Sequence, residues 1–598
     1  MVSRVSSSRS VISMLNLHRV PPVVFDWLIP LGLLFLFLHQ LMVQSFFSFQ
    51  RFFGLPGDTN QYMWFIGWMW HAIGQGRSPL VTHSFNYPYA INIMDYTSVP
   101  ALGLLFGWLY GLTGIVFIYN LIVVVNYTLI FIFGKLTLRT LGIGQVLSSV
   151  GGLLFCLMPY LTAQELQHLN LAFISPLFII GYLVARIIHS AKPPGWGIGI
   201  FTGLALTLAF YTCLETFVSM ALCLALLFVC ALLCSFESTR RFTLRLLNVR
   251  FLLATAVPLL LVIPGFLNFV QGEGSQSLNF VMYSSFVYLN DLLSAIVPSS
   301  VYLAHTSATT ALTSKFSGNI FEWDGYLSIP FIACFIVYAV RGWRKPAMRI
   351  LAYATVCMSV FSLGPVLHVG GMQTSIPLPW ALALPFPVIH DLLPARLSLY
   401  VGYLGIILVV WGIDEAVKRM PVQLRPLRPR PWQLATLLAL GLVVFLWLPL
   451  LPTYSAPIPA AANILRNDRV VSRYINDEPT LVLSGQADSF NVVMGILAAS
   501  NNYDLVTSNV YGYAVPVTLS YKLNVDFTTD RNPEQASEAL RQYLPQLRVE
   551  KVMFLSTDNN PISATQVAEV SAVLGAPEYN KEGLVMVWAV PIQLRALK

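Results

Sequence analysis

The sequence predicts an α-helical polytopic membrane protein of about eleven spans, followed by a C-terminal extracytoplasmic α/β domain. Three observations predict it. The 598-residue chain is 56% hydrophobic and only 10% charged, with mean hydropathy +0.68, whereas a soluble domain carries about 25% charged residues. Its apolar residues gather in separate runs of membrane-span type. Beyond Pro452 the chain turns polar and stays so, for a length that suffices for a domain.

Taken in order, residues 1–25 read as a cytoplasmic tail carrying Arg4, Arg9 and Arg19. No small-residue cleavage site follows, so the first run reads as a retained anchor. The unit 26–452 then holds runs at 27–47, 115–133, 146–161, 171–188, 196–211, 217–233, 251–267, 326–340, 350–363, 397–411 and 434–448. Lys and Arg orient them. One set of loops holds twenty: the three above, Lys135, Arg139, Arg186, Lys192, Arg240, Arg241, Arg245, Arg250, Arg341, Arg344, Lys345, Arg349, Lys418, Arg419, Arg425, Arg428 and Arg430. The opposite set holds four: Arg51, Arg77, Lys315 and Arg396. The basic side is cytoplasmic, which places the N-terminus inside and 453–598 outside. The segment 98–112 is also apolar, but a span there would turn every later basic loop outward. It reads as a re-entrant or interface-lying helix, or half of a broken pair with the next span. The outer loops are then 48–98, 162–170, the turn at Glu215, 268–325 and 364–396. In the polar tail, 480–484, 552–555 and 584–589 read as strands, and 533–543 and 564–574 as helices, giving a small α/β domain.

Several function classes are not signalled. The net charge of +8 sits in short loops between apolar runs and reads as topology rather than nucleic-acid binding. Cys156, Cys213, Cys223, Cys230, Cys234, Cys334 and Cys357 lie in or beside apolar runs without a CxxC pair, so they read as small buried residues and not as a metal site. GxSxG, HExxH, GxGxxG and P-loop patterns are absent from the sequence.

The outer loops concentrate the chemistry. Asp58, in Gly57-Asp58-Thr59-Asn60-Gln61-Tyr62, precedes Trp64, Phe65, Trp68 and Trp70. A carboxylate at the membrane surface can take a proton from an acceptor hydroxyl or hold a cation. Asp95 is a second acid in the same loop, and either residue also reads as a helix cap or loop anchor. The second loop crowds Gln164, Glu165, His168 and Asn170 between two apolar runs, where unsatisfied polar groups are costly. His168 suits a phosphate or a proton transfer, and the group also suits a helix end satisfying its own backbone. Glu215 has no basic neighbour in sequence, so its partner is tertiary or solvent. Glu322 and Asp324, among Phe321, Trp323 and Tyr326, suit a sugar or an interfacial aromatic anchor. Arg396 breaks the positive-inside trend. A guanidinium there can grip a phosphate bidentately, a role ranked ahead of pairing with Asp391 or Glu215.

On these residues the chain resembles the GT-C superfamily of membrane glycosyltransferases, which use polyprenyl-phosphate-linked sugars on the non-cytoplasmic face. The resemblance rests on an outward first span followed by Gly57 to Tyr62, on the Tyr87-Pro88 and Thr97-Ser98-Val99-Pro100 stretches, on the polar loop 164–170, and more weakly on 394–396. In layout it is similar to aminoarabinose and protein-mannosyl transferases, and closer to bacterial members of the superfamily. The resemblance implies inverting transfer from a polyprenyl-phosphate sugar donor to a glycan, lipid or protein acceptor. The layout and the absence of Cys from the outer domain fit a bacterial cytoplasmic membrane, with an endoplasmic reticulum membrane as the alternative. It makes Asp58 the general base. Asp95, Gln164, Glu165, His168, Asn170, Glu215, Glu322, Asp324 and Arg396 become substrate-binding candidates, with His168 and Arg396 toward the lipid phosphate. Thr59 follows Asp58 where some relatives carry a second acid, which favours a metal-free mechanism without cofactors over one using a divalent metal. Two readings from other classes stand beside it. A lipid or glycolipid transporter or flippase would place ionisable residues at the bilayer midplane and show related halves. A non-catalytic envelope assembly factor would use the outer domain to bind a partner.

Overall fold

The computed structural model describes residues 24–84, 87, 89–275, 284–386, 389–418, 431–450, 454–475, 480–484, 490–507 and 533–595. Residues 1–23 of the expected tail 1–25, residues 424–430 of the Pro-Arg stretch 424–431, which reads as a short cytoplasmic connector, and Pro88 lie outside the described residues.

Each of the eleven apolar runs is helical for most of its length. Among the described residues five helical stretches are long and apolar enough to cross a membrane: Ile115–Thr140, Gln145–Gln164, Leu169–His189, Leu214–Leu246 and Pro394–Lys418. A sixth is the pair Val249–Leu259 and Val262–Gln271, bent by 52°. Pro264 accounts for the bend, because it lacks the N–H that would bond back across the break. Shorter apolar helices, Asp26–Leu41, Trp196–Thr212, Ile329–Gly342, Pro346–Ser362 and Pro431–Trp447, cover the remaining runs. The chain is an integral membrane protein. On the side read as cytoplasmic, basic residues meet acids at helix ends: Lys135 with Asp26 at 2.8 Å, Lys345 with Glu415 at 2.8 Å, and Lys418 with Asp414 at 2.5 Å.

The ambiguous segment 98–112 breaks into Pro100–Phe106, a 3-10 turn and Tyr110–Thr113. A continuous helix from Pro100 to Thr113 would rise about 21 Å. Gly103 and Gly107 seat the segment directly against Met69 and Ile66 of the helix Asp58–Gly74.

That helix, here the outer helix, is the centre of the half that the basic-residue pattern reads as non-cytoplasmic. Strand Arg51–Phe53, just before it, pairs antiparallel with Ser455–Pro457, which brings the first loop and the chain after the last apolar helix together. Beyond lies a five-stranded sheet in the order Tyr579–Lys581, Val585–Ala589, Lys551–Leu555, Thr480–Ser484, Val506–Thr507. Thr480–Ser484 runs parallel to both of its neighbours, and the other pairings are antiparallel. The two-residue period of a strand separates its faces. Leu481, Leu483, Val552, Phe554, Met586 and Trp588 form a core with residues of the helices Pro533–Leu547 and Ala564–Leu574. Val482, Met553, Leu555, Val585 and Val587 instead join the core that continues into the membrane helices, together with Val493, Met494, Ile496 and Leu497 of the helix Phe490–Ala499. Membrane part and C-terminal sheet therefore share one core.

Candidate functional site

The sequence places Asp58 in a polar loop, and the structure corrects this: Asp58 opens the outer helix, which is buried from Thr59 to Met69. Gly57 turns the chain into it at φ +129°, a conformation that strongly favours glycine, and a side chain there would also press on Gln167. Asp58 thus sits where the helix N-terminus favours a carboxylate. Its side chain is 30% exposed. Asn491 Nδ2 donates to Oδ1 at 2.8 Å, and His168 Nε2 stands 3.7 Å from Oδ2. Burial raises the Asp58 carboxyl above its ordinary range, opposed by His168, Arg396 and Asn491.

Gln164 organises the next layer. Its buried Nε2 donates to the Phe321 carbonyl at 3.0 Å, to Asp324 Oδ2 at 3.1 Å and to Glu322 Oε2 at 3.4 Å. Its Oε1 therefore faces His168 Nδ1, at 2.8 Å and four residues on. That contact puts the hydrogen of a neutral imidazole on Nδ1 and turns the Nε2 lone pair toward Asp58. Burial lowers the His168 pKa, with Glu322 and Asp58 pulling it back. At 3.7 Å the facing His168 and Asp58 atoms interact through charge rather than through a hydrogen bond.

Arg396 is the hub. Its Nε reaches both Glu322 oxygens, at 3.1 and 3.2 Å, its second terminal nitrogen reaches Oε1 at 2.6 Å, and its first bonds Glu215. Glu215 Oε1 accepts from the Leu393 N–H at 3.1 Å. Burial alone would raise the Glu322 carboxyl, but the charge and hydrogen bonds of Arg396 hold it below the usual carboxylate value. Asp324 goes the other way. Burial and the nearby Glu322 charge push it well up, against hydrogen bonds from Ser398, at 2.7 Å, and Gln164. The pairing with Glu215 raised for Arg396 is therefore present, and Glu322 joins it. Asp391 faces His390 instead, at 3.6 Å. At the edge of the cluster, Asn170 accepts from the Tyr62 hydroxyl at 2.5 Å.

Asp58, Gln164, His168, Glu215, Glu322, Asp324 and Arg396 thus converge through contacts, with Asn170 tied to the outer helix. Asp95 ends the 3-10 turn Ile93–Asp95. Glu165, beside Gln164 in sequence, points the opposite way. It is 1% exposed, neither oxygen has a hydrogen-bond partner among the described residues, and burial pushes its carboxyl up to about 8. Sequence reasoning missed Asn491, Ser398 and the Phe321 carbonyl. Asn491 lies in a tail that bears no recognisable motif, and only the seating of its helix on the outer helix discloses it. Among the described residues no group of three or more His, Cys, Asp and Glu side chains is arranged to hold a metal ion.

The family model of a domain of unknown function (DUF6311) matches residues 30–447. No curated protein matches the sequence. Among solved structures the chain is similar to the arabinofuranosyltransferase AftD from Mycobacteria, with TM-score 0.51 and 12% identity over 95% of this chain and 41% of that one. It is similar to the archaeal oligosaccharyltransferase AglB from Archaeoglobus fulgidus, in complex with an inhibitory peptide and a dolichol-phosphate, with TM-score 0.50 and 12% identity over 89% and 70%. A third is ArnT from Cupriavidus metallidurans, with TM-score 0.48 and 14% identity over 95% and 99%. The first two likenesses show the fold, which is that of the GT-C membrane glycosyltransferases.

Proposed function

The chain belongs to the family described as a domain of unknown function (DUF6311), and on that footing we propose that it is an inverting membrane glycosyltransferase. It moves a sugar from a polyprenyl-phosphate donor to a glycan, lipid or protein acceptor on the extracytoplasmic face of a bacterial cytoplasmic membrane. The eleven apolar helices span, with the N-terminus inside and the C-terminal sheet outside.

The observation that carries this reading is the state of Asp58. It is a partly exposed carboxylate at a helix start, raised by burial and facing the His168 lone pair, in a fold shared with named glycosyltransferases. A base works best when its pKa lies near the working pH. In the proposed step Asp58 takes the proton of the acceptor hydroxyl. The acceptor oxygen forms its bond to the anomeric carbon from the face opposite the phosphate. The bond from that carbon to the phosphate oxygen breaks, and its electron pair leaves with the polyprenyl phosphate. A single displacement of this kind inverts the anomeric centre.

Arg396 and His168 receive the lipid phosphate. Glu322 is 2% exposed and Glu215 is 21% exposed, so Glu215 is the partner that a phosphate displaces from the guanidinium. Gln164 and Asp324 hold the frame, and Asn170 lines its edge. The AglB structure's dolichol-phosphate and peptide supply the parallel for a lipid-linked donor and an outer acceptor. No step runs through a metal.

The test is transfer of radiolabelled sugar from polyprenyl-phosphate donors by purified protein in detergent, wild type beside Asp58→Asn, with and without EDTA. Transfer kept in EDTA and lost in the variant is expected. Transfer surviving in Asp58→Asn sinks the base assignment. No transfer from any donor to any of the three acceptor classes sinks the transferase reading.

A further inference from the structure

The outer helix is held at both ends by one short piece of the C-terminal region. At its last turn, Asp504 accepts from His71, Gln75 and Arg77, each at 3.0 Å. One residue earlier, Tyr503 lies on Gly67, where any side chain would collide with its ring. Its ring centroid is 5.7 Å from that of Trp64, and its carbonyl accepts from Ser84 at 2.9 Å. Further back, Gly495 abuts Asn60. At the first residue of the outer helix, Asn491 donates to Asp58. Every one of these contacts joins residues some 400 positions apart in sequence, and the last ends on the proposed base itself.

We propose that Asn491 is a positioning residue: the C-terminal region delivers a carboxamide that fixes the orientation of the Asp58 carboxylate. The proposal deepens the transferase reading and rests on it for its catalytic consequence. Asp58 Oδ1 takes the amide hydrogen, and Oδ2 is turned toward His168. The carboxylate is thereby held against rotation with one oxygen aimed into the cluster. The groups that act on Asp58 come from three other elements: His168 from the second outer loop, Arg396 from the start of Pro394–Lys418, and Asn491. Among these Asn491 alone is uncharged at every pH, so its contribution is orientation and a hydrogen bond to the charged form, which favours ionisation.

Two readouts on the full chain test this. The first is transfer kinetics of Asn491→Ala against pH. The expected result is a kcat about tenfold lower, an unchanged KM for the donor, and an acid limb displaced upward. The second does not need activity. Asp58 is labelled with a water-soluble carbodiimide, which consumes protonated carboxyls, across a pH series, and its peptide is quantified by mass spectrometry. The labelling midpoint moves up in Asn491→Ala. It moves further in Asn491→Asp, which places a second carboxylate beside the first. It stays in place in Asp504→Asn, which loosens the far end of the same interface. An unmoved midpoint in Asn491→Ala overturns the proposal while leaving the transferase reading intact. Equal shifts in Asn491→Ala and Asp504→Asn overturn it too, because docking alone would then explain both. A shift in Asn491→Ala with none in Asp504→Asn, in a protein that transfers no sugar, removes the transferase reading and keeps the link between Asn491 and Asp58.

Discussion

Glu322 and Asp58 belong to one polar cluster and meet opposite surroundings. Glu322 is 2% exposed, receives three bonds from Arg396 and is held below its ordinary pKa. Asp58 is 30% exposed, receives one bond from an uncharged amide and is held above its ordinary pKa. A carboxylate locked to a guanidinium is a weak proton acceptor and a strong structural member. One that solvent still reaches, and that burial makes more basic, suits the reverse task. On the proposed reading the difference divides the roles: Glu322 holds Arg396 in place, and Asp58 is left to react.

The largest effect should come from exchanging the chemistry at the reactive end. Asp58→Asn keeps the shape and the helix start but removes the base. Transfer should fall about 10²–10⁴-fold, with the thermal unfolding midpoint in detergent nearly unchanged. A large fall in midpoint would mean that Asp58 is structural and would erase the contrast with Glu322.

Arg396→Ala attacks the other end. It leaves Glu322 buried with its charge unmatched, and breaking a buried pair in this way costs about 3–5 kcal/mol. The unfolding midpoint should drop sharply. Adding Glu322→Gln to Arg396→Ala should restore much of it, because the stranded charge is then gone. Loss of activity with the midpoint intact would instead make Arg396 purely a phosphate ligand.

How far the sequence discloses this arrangement depends on the distance over which each fact is written. The apolar runs are local, and all eleven are helices. The strands read at 480–484, 552–555 and 584–589 from local composition are Thr480–Ser484, Lys551–Leu555 and Val585–Ala589 in the structure. The cluster residues were visible singly, because a polar group at the edge of an apolar run is conspicuous. Their partners were not. Arg396 meets Glu322 and Glu215 across 74 and 181 positions, and Asn491 meets Asp58 across 433, which no local pattern encodes. Glu165 shows the limit within a single turn. Loop composition groups it with Gln164 and His168, whereas the i, i+4 geometry of Gln164 and His168 puts those two on one face and leaves Glu165 on the other.

Glu165 also supplies a third kind of acid, buried with neither a guanidinium nor an amide to bond it. Its folded pKa of about 8 lies above the ordinary 4.5. The folded protein therefore keeps a proton that the unfolded chain releases, and stability falls as pH rises from about 4.5 to about 8. At pH 7 the loss is about 3 kcal/mol. Glu165→Gln should remove that slope, raising the unfolding midpoint at pH 8 while changing it little at pH 4.5. A midpoint that falls at pH 8 would reveal that the carboxylate is bonded after all.

The smallest effect concerns the contact between the two ends. His168 is the strongest influence opposing the burial of Asp58, and burial holds its own pKa below the ordinary value. Asp58 must be ionised to act, so transfer should decline as pH falls through a value above the usual carboxylate range. Protonated His168 pulls Asp58 toward ionisation by its charge, so His168→Asn should move the acid limb further up. A limb that does not move would mean that Asp58 is insulated from His168 at 3.7 Å. In that case the raised pKa of Asp58 would be set by burial against Asn491 and Arg396 alone, and the two ends of the cluster would work independently.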